Sequence, residues 1–166
     1  MRVLVTAASR HGATADIAAA IVRVLHLRGL AADLVEPAEV TDISEYDAVV
    51  LGSAVYAGRW MAPATDLVAR CRSQLAGRPV WLFSSGPVGS PANPAEGPAV
   101  SKVMEQTGAL GHRVFAGKLD KAELGRLERT MVRAVRAPMG DYRDWDDIAA
   151  WAARIADDLS TTQQVR

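Results

Sequence analysis

Cysteine is almost missing from this chain of 166 residues, which holds only Cys71. A lone cysteine excludes an intrachain disulfide and any cysteine-rich metal site. Histidine is scarce as well, and His11, His26 and His112 are too scattered for zinc-ligand spacing. Charge of one sign is not in excess: 19 basic side chains face 19 acidic ones, so no charge surplus points to nucleic acid. Long hydrophobic runs are absent. The opening Met1-Arg2-Val3-Leu4-Val5-Thr6 is too short for a signal peptide or a membrane span, and a cytoplasmic protein without a transmembrane segment is expected. Neither G-x-G-x-x-G nor G-x-x-x-x-G-K-[ST] occurs, which sets aside the dinucleotide fingerprint and the P-loop. What the chain does have is apolar content, 49% of residues, enough to build a core. Its length suits one domain, expected over residues 1–160 with a flexible tail at 161–166.

Strand and helix patterns alternate. Val3 to Thr6 is continuously apolar, as a strand buried on both faces should be. Ile17, Ile21, Val24 and Leu25 then recur at helical spacing up to Gly29. Further strands are predicted at Ala32 to Val35, Tyr46 to Gly52, Pro79 to Phe83 and Arg113 to Ala116. Helices are predicted around Leu67 to Leu75, around Val100 to Met104, and from about Asp144 to Leu159. Five strands alternating with helices imply an α/β fold, a parallel sheet with helices on both faces. Ligands of such sheets bind beyond the strand C-termini, so the loops after the first, third and fourth strands matter most. Two segments exceed this minimal unit: the proline-rich Gly86 to Pro98, and Lys118 to Tyr142, whose Met139-Gly140-Asp141-Tyr142 reads as a turn.

The first of those loops, Ala7-Ala8-Ser9-Arg10-His11-Gly12-Ala13-Thr14, is rich in hydroxyls and precedes a helix. A helix N-terminus offers unpaired N–H groups and a partial positive charge, which suits a phosphate. Ser9 and Thr14 add hydroxyls, and Arg10 adds a charge if it turns inward. The competing reading is a plain helix start capped by Thr14. Response-regulator receivers need acidic residues where Ala7, Ala8 and Ser53 stand, and low-molecular-weight tyrosine phosphatases need a cysteine in this first loop.

Ser9-Arg10-His11-Gly12-Ala13-Thr14 resembles the [ST]-x-x-G-x-T phosphate loop of the flavodoxin family. The resemblance implies a flavodoxin-like three-layer sandwich with strand order 2-1-3-4-5 and flavin mononucleotide (FMN) as cofactor. It also implies a ring site built from the second and third loops. In the second, Ser53-Ala54-Val55-Tyr56-Ala57-Gly58-Arg59-Trp60, the aromatics Tyr56 and Trp60 are expected to flank the flavin. Gly58 is expected to permit close backbone approach and a peptide reorientation when flavin N5 gains a proton. In the third, Ser84-Ser85-Gly86-Pro87-Val88-Gly89 is small and polar and lacks an aromatic.

Val50 to Trp60, Val114-Phe115-Ala116-Gly117-Lys118-Leu119 and Asp144-Trp145-Asp146-Asp147-Ile148 are similar to the branch that includes menaquinone-dependent protoporphyrinogen oxidase. That branch implies an FMN-dependent oxidoreductase whose partners are a redox protein, a quinone or a small-molecule substrate. A flavodoxin-type electron carrier and a flavin-free interaction module on the same fold are the alternatives. The chain is neutral where carrier flavodoxins are acidic, and its insertion is neither especially aromatic nor long. Within Lys118 to Arg136, Lys121, Arg126, Arg129, Arg133 and Arg136 alternate with Leu124, Leu127, Met131, Val132 and Val135 in a basic amphipathic pattern. It fits peripheral contact with an anionic membrane, an acidic partner, or a core-facing stripe with solvated charges. Self-association into a homo-oligomer is compatible with an apolar chain of this size, and Cys71 reads as an inert buried thiol.

Overall fold

Val3, Leu4 and Val5 offer water no polar side, and all three are fully buried. They belong to β1 (Arg2–Ala8), which lies inside a parallel sheet between β2 (Ala31–Leu34) and β3 (Ala48–Tyr56). The computed structural model describes residues 1–56, 58–86, 98–119 and 140–164. β3 pairs on its other side with β5 (Val80–Ser85), and β5 with β6 (Gly111–Phe115), all parallel. A two-residue strand, β4 (Arg59–Trp60), folds back antiparallel on the end of β3, and the whole sheet runs β2-β1-β3-β5-β6. Without the short β4, this is the expected 2-1-3-4-5 order.

Alternate residues of the central strands enter two cores. Val3, Val5, Val50, Trp81 and Phe83 face α1 (Ala13–Leu27) and α5 (Trp145–Gln164). Leu4, Val49, Leu51, Val80 and Leu82 face the layer of α2 (Ala62–Arg70), α3 (Arg72–Leu75) and α4 (Pro98–Thr107). In the first core Phe83, Phe115 and Trp151 meet at ring centroid separations of 5.6 to 6.1 Å, in tilted and edge-on geometry. Gly52 is required here by space: a Cβ on it would stand 2.1 Å from the Phe83 ring. Cys71 is buried at the α2–α3 junction, and burial pushes its thiol pKa up, as an inert thiol requires.

Three expectations change. Gly140–Asp141, read as part of a turn, is a strand (β8) paired antiparallel with β7 (Lys118–Leu119). The pairing is specified by residues more than twenty positions apart, which a local turn signal cannot register. The last helix continues to Gln164, past the expected start of the tail, and Ser160 and Thr161 donate their hydroxyls to carbonyls one turn back. The second helix is split in two at Cys71. The proline-rich 87–97 and the basic stretch 120–139 lie outside the described residues.

Candidate functional site

Because β1, β3 and β5 are parallel neighbours, the loops that follow them open side by side at one edge of the sheet. The first passes through Ser9, Arg10 and His11 to Gly12, which adopts φ +80° and starts α1. Only glycine takes that left-handed conformation cheaply. Gly12 carbonyl accepts the first helical bond, from Asp16 N–H, and no side chain caps the helix. Thr14, a cap only in the competing reading, lies inside the helix and is buried. The amides of Ala13, Thr14 and Ala15 therefore have no acceptor within the helix. In the same loop, three residues before Gly12, Ser9 Oγ is buried with no hydrogen-bond partner. A buried hydroxyl in that condition costs free energy unless a ligand satisfies it.

The second loop is a hairpin. Val55 pairs with Trp60 and Tyr56 with Arg59, and Gly58 turns the chain at φ +72°. Ser53 Oγ donates to Ala54 carbonyl at 2.8 Å and accepts from Met61 N–H at 2.9 Å, which ties the return strand to β3. Tyr56 is 40% exposed, and the Arg10 guanidinium stands 5.8 Å from its ring centroid, so the first two loops meet through a cation–π contact. Trp60 is only 6% exposed. Its ring is part of the core and its Nε1–H donates to Ser84 Oγ at 2.8 Å. Indole nitrogen can only donate, so Ser84 Oγ accepts from it, and the same oxygen shares a hydrogen bond with His112 Nε2, also at 2.8 Å. This chain joins the hairpin to β5 and β6. Of the two expected flanking aromatics, then, Tyr56 reaches the surface and Trp60 braces the hairpin from beneath.

The third loop begins at Gly86, whose N–H bonds to Phe115 carbonyl at 3.1 Å. A Cβ on Gly117 would stand 3.2 Å from Gly86 Cα, so the chain leaving β6 lies directly against this loop. Tyr142 N–H bonds to Gly117 carbonyl at 3.2 Å, and the next residue, Arg143, reaches the start of α1. Ser84 and Ser85 are buried; Ala57, Pro87, Val88 and Gly89 lie outside the described residues.

A sequence profile of the flavodoxin domain matches residues 4–146, nearly the whole of this edge and its sheet. The chain belongs to the flavodoxin-domain family. Its fold is similar to that of a flavodoxin from the domain Archaea, with a TM-score of 0.65 at 15% identity over 96% of this chain and 99% of that one. A flavodoxin of Streptococcus pneumonia TIGR4 gives 0.64 at 18% identity over 98% and 99%. Rubredoxin oxygen:oxidoreductase of Desulfovibrio gigas gives 0.65 at 13% identity, over 96% of this chain and 36% of that one. No curated protein matches the chain. Flavodoxin domains are FMN-binding redox proteins, and FMN is the cofactor of this one. The residues present fit that group. The uncapped start of α1 and the orphaned Ser9 hydroxyl meet the chemistry of a phosphate, and the exposed Tyr56 meets that of a flat ring.

Asp16, His112, Gly117, Tyr142 and Arg143 were not among the residues expected at this site. Arg143 and Ala13 are separated by 130 residues, and no periodicity or spacing in a single sequence joins such a pair.

Proposed function

We propose that the chain holds the FMN phosphate on Ser9, Arg10, His11, Gly12, Ala13 and Thr14. The flavin ring lies against Ser53 to Gly58 and the loop from Ser84 through Gly89, with Trp60 supporting the hairpin from below. The observation that carries this reading is the buried, unpartnered Ser9 Oγ in the loop that leads into a helix start with no side-chain cap. Bound FMN supplies transfer of one or two electrons, and the protein supplies binding, orientation and access. Thr14 adds a hydroxyl close to the phosphate amides, Arg10 bridges the phosphate loop to Tyr56, and Gly58 lets the hairpin backbone approach the ring.

Among flavodoxin-domain functions we favour an oxidoreductase resembling protoporphyrinogen oxidase over a carrier without a substrate. Support comes from the β7–β8 ribbon. Gly117 packs on Gly86, and Tyr142 bonds to Gly117, so the insertion both leaves and rejoins the fold beside the third loop. The sequence of that insertion carries Arg126, Arg129 and Arg133, and basic side chains favour an acceptor or substrate with carboxylates, such as a porphyrinogen, or an acidic redox protein. Long-range attraction of that kind is screened by salt. Stopped-flow oxidation of the reduced protein should therefore slow as ionic strength rises, and charge reversal at Arg129 and Arg133 should slow it while FMN affinity holds. Turnover of protoporphyrinogen with a quinone separates the enzyme from the carrier. Rates indifferent to salt and to both substitutions, with no turnover, would leave the carrier reading in its place.

A further inference from the structure

We propose that Arg143 strengthens this site's preference for a phosphorylated flavin by offsetting part of the charge of Asp16 in the first turn of the phosphate-binding helix. The proposal rests on the placement of the phosphate at Ser9 to Thr14. Arginine is rarely buried unless it is paired, yet the Arg143 side chain is only 6% exposed. Asp141 aligns it through a two-point contact, Nε to Oδ1 at 2.8 Å and Nη2 to Oδ2 at 2.5 Å, and also accepts from Arg143 N–H at 3.1 Å. The guanidinium stands 4.5 Å from the Trp145 ring centroid. So held, Nη1 donates to Ala13 carbonyl at 3.3 Å and to Asp16 Oδ2 at 2.9 Å.

Four of the five guanidinium N–H groups are thereby engaged, one on Nε, two on Nη1 and one on Nη2. Little donor capacity remains for a phosphate, so Arg143 acts through Asp16 and is a positioning residue. Asp16 is the acidic residue of the first turn of α1 and sits one helical turn from Gly12. The field that favours a carboxylate there also favours a phosphate. The two anions would repel each other within one turn of helix, and Arg143, shared between Asp141 and Asp16, offsets part of that repulsion. It also ties the strand that closes the insertion to the phosphate end of the site.

The test is a titration of the full-length apoprotein with FMN and with riboflavin, followed by flavin fluorescence. Arg143→Ala should weaken FMN roughly tenfold and leave riboflavin nearly unchanged. Asp16→Asn in the Arg143→Ala background should restore the preference, which loss of a purely structural clamp would not allow. Should the alanine variant not fold, Arg143→Gln serves in its place. Asp16→Asn alone alters an exposed side chain, and it should tighten FMN and not riboflavin. Equal weakening of both flavins, a double variant as weak as the single, or an Asp16→Asn protein with unchanged FMN affinity would overturn the proposal. A wild-type protein that binds both flavins equally would instead remove the phosphate placement, and the proposal with it.

Discussion

Ser9 carries a hydroxyl whose oxygen is buried and unpartnered, and this makes its role separable from that of its neighbours. A polar atom kept in that condition costs the free protein stability and contributes only when a partner arrives. Ser9→Ala should thus leave the apoprotein's melting temperature unchanged or slightly raised. FMN affinity should fall by about 1.5–3 kcal/mol, the range for a hydrogen bond to a charged group. Calorimetry of the apoprotein and an FMN titration check the two halves independently. Gly52 is the opposite kind of residue, indispensable to the fold and silent in the chemistry. A methyl group placed there would overlap the Phe83 ring, so Gly52→Ala should destabilise the protein by roughly 3 kcal/mol in urea unfolding. Neither property is visible in a residue name. The sequence marks Ser9 as one hydroxyl in a promising loop, and Gly52 as the end of a strand, because the partner or its absence is a fact of packing.

Among the elements, the hairpin of β3 and β4 and the ribbon of β7 and β8 frame the loop edge. Gly58 turns the hairpin at positive φ, as its place between Tyr56 and Trp60 led one to expect. A β-branched residue resists that backbone region, so Gly58→Val should shift at least one reduction midpoint of the bound flavin. Two unchanged midpoints in a redox titration would deny the hairpin a part in tuning. The ribbon is fastened by Asp141, whose carboxyl is held below its ordinary pKa, first by its hydrogen bond to Arg143. A depressed carboxylate pKa contributes stability above the unfolded value near pH 4, and that contribution is lost as pH falls through the folded value. Asp141→Asn should accordingly be less stable than wild type at neutral pH and converge on it in acid. A stability difference independent of pH in urea titrations would contradict the ion pair's role. The principal strands, with their two-sided apolar character, were legible from composition and periodicity. The β7–β8 pairing was not, since two-residue strands carry no period and find each other across the insertion.

At the scale of the molecule, one parallel sheet with two distinct cores brings three loops to a common edge. That arrangement followed from the order of apolar runs and from right-handed crossovers. The phosphate loop was readable for the same reason, as it lies between a buried strand and a helix start. What single-sequence reasoning could not supply is the set of contacts made across the fold. Arg10 on Tyr56, the Trp60–Ser84–His112 chain and Arg143 on Asp16 all join segments that only the finished sheet brings together. Among the described residues no helix is long and apolar enough to cross a membrane. The central claim is that this edge binds FMN through its phosphate at the start of α1. Titration of the apoprotein with FMN and riboflavin, read in the visible flavin bands, tests it most directly. The account predicts one flavin per chain and an FMN affinity at least about a hundredfold above that for riboflavin, as two charge-assisted hydrogen bonds would give. Equal affinity for the two, or binding of neither, would contradict it.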